Sequence, residues 1–144
     1  MLIIKEKMEA REAMLLNPLQ LAYAGDAVWE ILVRQKLILQ HLNVHNMHME
    51  CIRNVNAKAQ AHYLLKIRSL LNEQELSVVQ RGRNAHFRHP VPKNQDPADY
   101  SDATAFEALI GYLYLTEQVE RLAFIYTEIF RKDIENAREK NAES

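Results

Sequence analysis

Two acidic residues lie among small side chains at helical spacing. In LAYAGDAVWE, Asp26 follows Gly25 and has Ala22, Ala24 and Ala27 around it. In DATAFEALIGYLYL, Glu107 has Ala103, Thr104 and Gly111 at i−4, i−3 and i+4. Gly costs about 1 kcal/mol against Ala in a helix interior, so a plain surface helix gains nothing from Gly25. Small faces let helices approach closely. If these two pack together, Asp26 and Glu107 meet in a partly buried place. Neighbouring carboxylates resist burial unless a proton or cation compensates. A hard divalent ion with oxygen ligands does so, and Mg²⁺ suits few carboxylates plus several waters. Its usual chemistry is to activate water and offset charge on a phosphoryl group. A blander reading stands beside this one: a polar stripe of Asp26, Glu30 and Arg34 at i, i+4 and i+8, and a hydrogen-bonded core Glu107.

The basic residues are unevenly spread. The formal net charge is −1, yet Cys51 to Gln95 holds eight bases against Glu73 and Glu75. That surplus of six positive charges comes from Arg53, Lys58, Lys66, Arg68, Arg81, Arg83, Arg88 and Lys93. It reads either as a face for a polyanion or as an ordinary solvated surface. His41, His45, His48 and Cys51 would mimic a zinc site on one continuous helix, but Asn43 marks a connection there and one cysteine is weak support. Trp29, Tyr112 and Tyr114 read as core or interface aromatics. No Ser-His-Asp, Cys-His or Gly-rich phosphate-loop arrangement is recognisable.

The elements that must position these residues read as all-α. Three Gly and four Pro punctuate 144 residues, and no alternating strand pattern appears. Asn17-Pro18 is a cap-and-first-position pair opening a helix to about Leu39. His41 to Asn46 is a connection, followed by helices at about Met47–Arg53 and, capped by Asn56, Ala57–Leu71. Another opens at Asn72 and ends near Gly82 or Asn84. His86 to Asp99 holds Pro90, Pro92 and Pro97 and reads as an extended loop. A long apolar helix then starts at Asp99 or Ser101, and a last one spans Glu117 to about Arg131. The tail, residues 136–144, reads as polar and frayed.

The length fits a single domain over 1–144 with its core at about 15–135. Hydrophobic residues make up 48%, enough for a sizeable core. No apolar run reaches the roughly 18 residues of a membrane span, and the start does not read as a secretory signal. The lone Cys51 excludes an internal disulfide, so the expected setting is reducing and cytoplasmic.

With these residues in view, the chain resembles the ribonuclease III family. LQLAYAGDAV (19–28) stands where the family has Glu-Arg-Leu-Glu-Phe-Leu-Gly-Asp-Ala-Val, and TAFEALIG (104–111) where it has Asp-x-x-Glu-Ala-Leu-Ile-Gly. The likeness is closer to the short subgroup, Mini-ribonuclease III. That subgroup has Tyr-x-Gly-Asp-Ala and Thr-Ala-Phe-Glu-Ala-Leu versions of these motifs. It also carries the Arg-Gly-Arg-Asn-Ala and Pro-Lys-Asn elements found here at 81–85 and 92–94. The resemblance covers about Leu19 to Leu122.

It implies a homodimeric, Mg²⁺-dependent endonuclease of double-stranded RNA that leaves 5′-phosphate and 3′-hydroxyl ends, with Mn²⁺ able to substitute. Asp26 and Glu107 take the catalytic, metal-binding positions, and Tyr23 the aromatic position at the dimer interface. Arg81, Arg83, Asn84, Lys93 and Asn94 flank the proline-containing loop and, with Lys58, are the expected RNA contacts. The subgroup's substrate is the precursor of large-subunit ribosomal RNA, and a large-subunit ribosomal protein is a further candidate partner. Leu19, Ala22 and Thr104 stand where the larger family has acids, so the metal should be held through more water. There is no room for a separate double-stranded-RNA-binding domain, so affinity must come from this domain. The rival reading is a non-catalytic RNA-binding or assembly module that keeps the fold.

Overall fold

The computed structural model describes residues 6–85 and 91–143. Among the described residues eight α-helices follow in order: α1 (Ala10–Leu15), α2 (Pro18–Leu39), α3 (Val44–Val55), α4 (Ala57–Ile67), α5 (Glu73–Asn84), α6 (Pro97–Leu115), α7 (Val119–Ile129) and α8 (Arg131–Glu143). A short 3₁₀ turn, Arg68–Leu70, links α4 to α5. No strand occurs among the described residues, so the all-α reading holds.

The cap chemistry sets the boundaries. Asn17 accepts from the Leu19 N–H and Gln20 reaches back to the Asn17 N–H, a capping box ahead of Pro18. Asn72 and Glu75 form a second capping box at α5, and Asn43 and Asn56 cap α3 and α4 by accepting from the N–H three residues on. Asp96 caps α6, with Pro97 at its first position. That helix therefore starts two residues before Asp99, the earlier of the two expected starts, because Asp96-Pro97 repeats the logic of Asn17-Pro18. Of the expected loop over 86–99, residues 86–90 lie outside the described residues. Lys93 and Asn94 form a turn, with Asn94 at φ 72°, a conformation Asn tolerates better than most residues.

Helix α6 is the centre of the molecule. From Ala103 to Leu113 every residue is buried except Glu107, which is half-buried. Helices α2, α4 and α5 pack around it. Trp29 anchors the aromatic core: it meets Phe106 edge-on at 4.9 Å and stacks on Phe130 at 5.6 Å between ring centroids. Its indole N–H donates to the Asn54 carbonyl at 3.0 Å. Tyr112 is also in the core, and Tyr114 packs against it.

The two ends differ from expectation. Ala13 is fully buried and Met8 packs on the core, so the packed region begins earlier than residue 15. At the other end α8 runs to Glu143, so the expected polar tail is helical through that residue and exposed. Its Ala, Glu, Lys and Arg content favours helix. Ile134 packs on the core and Lys36 pairs with Asp133 at 3.1 Å.

Candidate active site

The site is built at the crossing of α2 and α6. A Cβ on Gly25 would lie 1.7 Å from the Glu107 carbonyl oxygen, and one on Gly111 1.9 Å from the Leu21 carbonyl oxygen. Only glycine at both positions lets the helices touch backbone to backbone. The residue after Gly25 is Asp26, and the residue four before Gly111 is Glu107, so the contact sets the two acids side by side.

Both line one cleft of about 510 Å³, with Leu19, Ala22, Tyr23, Asn56, Gln60, Gln95, Tyr100 and Thr104 among its walls. Asp26 is exposed at its rim and Glu107 half-buried within. Burial, and then repulsion from Asp26, raise the Glu107 carboxyl from its ordinary 4.5 to about 7, while the Gln60 amide pulls the other way. No Lys or Arg lines the cleft, so nothing basic in its described walls compensates the pair. Leu19, Ala22 and Thr104 all face this same space. The three positions that hold acids in the larger family are therefore walls of the site, two apolar and one a hydroxyl. Thr104 donates that hydroxyl to the Tyr100 carbonyl at 3.0 Å.

Two carboxylates, no counter-cation among the described walls and room for water fit a hard divalent ion bound by few protein oxygens. Among the described residues no group of three or more His, Cys, Asp or Glu could hold a metal. His41, His45 and His48 are exposed and Cys51 is buried.

The residues expected to meet RNA have several different surroundings. Lys58, Asn84, Lys93 and Asn94 are exposed. Lys58 follows the cleft-lining Ala57, and Lys93-Asn94 precede the cleft-lining Gln95. Arg83 pairs with Asp102 at 2.8 Å and keeps its side chain about a third exposed. Arg81 has another task. Its guanidinium donates to the carbonyls of Met14 and Leu16, both at 2.6 Å, and so ties α5 to the end of α1. Lys66 is likewise committed, to the Ile129 carbonyl at the end of α7. The basic third of the sequence is thus partly a set of internal straps. The residue that sequence reasoning missed is Gln60, 1% exposed. Its signal was available: Gln60, Leu64 and Ile67 fall at i, i+4 and i+7 on the buried face of α4.

The fold and the acid pair define a helical nuclease domain of the ribonuclease III type. The ribonuclease III domain model matches residues 19–118. The Mini-ribonuclease 3 of Symbiobacterium thermophilum is 50% identical over 109 residues, 75% of this chain and 83% of that protein. That of Brevibacillus brevis is 50% identical over 121 residues, 83% of this chain and 90% of that protein. A crystal structure of a Fusobacterium nucleatum protein superposes with a TM-score of 0.75 at 28% identity, covering 83% of this chain and 95% of that one. The chain belongs to the ribonuclease III family of endoribonucleases, and its relatives are of the Mini-ribonuclease 3 kind.

Proposed function

We propose that the chain cuts double-stranded RNA in a divalent-metal-dependent reaction, with Asp26 and Glu107 as the ligands of Mg²⁺ or Mn²⁺. The observation that carries this is the uncompensated acid pair: Glu107 is desolvated beside Asp26, with no basic residue among the described walls of the cleft. When bound, Mg²⁺ supplies Lewis acidity for activating water and for offsetting charge on the phosphoryl group. Asp26 at the rim presents its carboxylate to solvent and substrate. Glu107, recessed on α6, must give up its proton before it can ligate. Gly25 and Gly111 fix their separation through the backbone, so the pair is preorganised.

RNA duplexes are recognised through phosphates, 2′-hydroxyls and shape. Lys58, Lys93, Arg83, Asn84 and Asn94 are the proposed donors to that backbone. Tyr23, 86% exposed, lies one turn from exposed Ala27 and two from Ile31, 60% exposed. This stripe on α2 is the proposed homodimer face. A dimer carries one cleft per strand, for staggered cuts with 5′-phosphate and 3′-hydroxyl ends. Resemblance to the short subgroup supports large-subunit ribosomal RNA precursor as the substrate, with a large-subunit ribosomal protein as the proposed accessory, and a cytoplasmic setting. No described helix is long and apolar enough to cross a membrane.

The replacement of three family acids by Leu19, Ala22 and Thr104 favours a second reading, a binding module without catalysis. One assay separates them: cleavage of a long RNA duplex with Mg²⁺ or with EDTA, by wild type, Asp26→Asn and Glu107→Gln. Both variants are expected to bind duplex and to cut at least about 100-fold more slowly, the scale at which removing a charge-stabilising group acts. Cutting in EDTA, or full activity of Asp26→Asn, would sink the mechanism. An inert wild type would favour the binding module.

A further inference from the structure

Gln60 is 1% exposed and lines the cleft from α4. Its stripe-mates Leu64 and Ile67 are apolar, so packing alone would be served by a leucine. Burying an amide without partners costs free energy. Yet its Nε2 has no hydrogen-bond partner of normal geometry among the described residues. Two polar neighbours in the cleft have other bonds: Asn56 accepts from the Ala59 N–H, and Thr104 donates to the Tyr100 carbonyl. The carboxylate recessed in the same cleft is that of Glu107, half-buried on α6, the helix against which α4 packs.

We propose that Gln60 is a positioning residue: its buried amide N–H holds one oxygen of the Glu107 carboxylate, leaving the other to face Asp26. The inference rests on the reading of Asp26 and Glu107 as the metal pair. An amide N–H attracts a carboxylate oxygen and offers nothing to a cation, so it decides which oxygen remains for the ion. Partners one step removed from a metal fix ligand orientation in this way, and their loss weakens metal binding or activity by about 10- to 100-fold. Gln60 sits on α4 and Glu107 on α6, so the contact also ties the orientation of the ligand to the packing of a third helix.

The test uses Gln60→Leu, with Gln60→Met as the alternative of similar length should the first fail to fold. Mn²⁺ binding to the protein without RNA is followed by the electron paramagnetic resonance of free Mn²⁺. Single-turnover cleavage is measured at saturating duplex. Both measurements are repeated in a Glu107→Gln background. Expected are losses of about tenfold or more in Mn²⁺ affinity and in cleavage rate, with duplex affinity in Ca²⁺ unchanged to within about twofold. In the Glu107→Gln background the same substitution should cost nothing further, because the group it acts through is gone. Wild-type Mn²⁺ affinity and rate in Gln60→Leu would overturn the proposal. Equal losses in both backgrounds would overturn it too, since they mark a packing role. If Glu107→Gln itself keeps wild-type Mn²⁺ binding and cutting, the metal-pair reading falls and this proposal falls with it.

Discussion

Gly25 lies so close to Glu107 that a Cβ there would overlap the Glu107 carbonyl oxygen at 1.7 Å. The contact is reciprocal, since Gly111 stands in the same relation to Leu21 at 1.9 Å. Both obstacles are backbone, which cannot swing aside as a side chain can. Gly25→Ala should therefore push α2 off α6 and cost more than the ~1–3 kcal/mol typical of overpacking. Gly82→Ala, whose nearest neighbour is the Ala105 Cα at 2.9 Å, should cost less. Urea unfolding of the two variants checks the order. A Gly25→Ala protein as stable as wild type would contradict the crossing.

The same crossing predicts a pH effect. Glu107 titrates near 7 in the folded protein against an ordinary 4.5, so between those values the folded state holds a proton the unfolded chain has released. Stability without metal should fall as pH rises through that window and level off above it. Glu107→Gln cannot ionise, so at pH 8 in EDTA it should melt higher than wild type, and the gap should fade toward pH 5. Mg²⁺ should restore stability to wild type at pH 8 and do little for Glu107→Gln. Cleavage by wild type should rise with pH through neutrality as the competing proton leaves. Identical melting curves for the two proteins at pH 8 would remove the basis of this prediction.

What the sequence made legible was what local chemistry encodes. The small-residue faces around Asp26 and Glu107 meet because glycine in a buried helix has a steric purpose that can be read from one strand of text. Asn56 and Asn72 marked helix starts because each accepts from the N–H three residues on, and Asn17 because Pro18 follows it. Pro97 was misassigned to the loop because proline breaks a helix interior and begins a helix equally well, and Asp96 decides between the two. Arg81 read as an RNA contact because its partners, Met14 and Leu16, lie more than sixty residues away. Charge counts carry no record of which bases are spent inside the fold. Gln60 was passed over for the converse reason: its polarity hid its place on a buried stripe.

That distinction among the bases can be measured. Arg81→Ala gives up two charge-assisted hydrogen bonds, each worth about 1.5–3 kcal/mol, and should lower the melting temperature while leaving the salt dependence of RNA binding unchanged. Lys93→Ala and Lys58→Ala should do the reverse. Each removes an exposed cation, so stability should hold while affinity falls and the slope of log K against log salt drops by about 1. Binding titrations at several salt concentrations, paired with melts, separate the two classes. An unchanged slope in both lysine variants would take them out of the RNA-binding surface, and a reduced slope in Arg81→Ala would return that residue to it.

Tyr23 sets the last prediction. It is 86% exposed, unusual for so large an aromatic ring, and it also lines the cleft beside Asp26. A partner seated on it would stand at the edge of the site. In a twofold dimer the same patch serves both protomers, so Tyr23→Ala removes two anchors at once. At ~2 kcal/mol for each buried interface aromatic, the loss is ~4 kcal/mol, or about a thousandfold in dimer affinity. Sedimentation velocity across a range of concentrations should show wild type as a dimer and Tyr23→Ala dissociating under the same conditions. Separated clefts should then nick one strand where paired clefts cut both, which a labelled duplex resolved on native and denaturing gels distinguishes. A wild type that sediments as a monomer at every concentration would refute the dimer, and with it the staggered double cut.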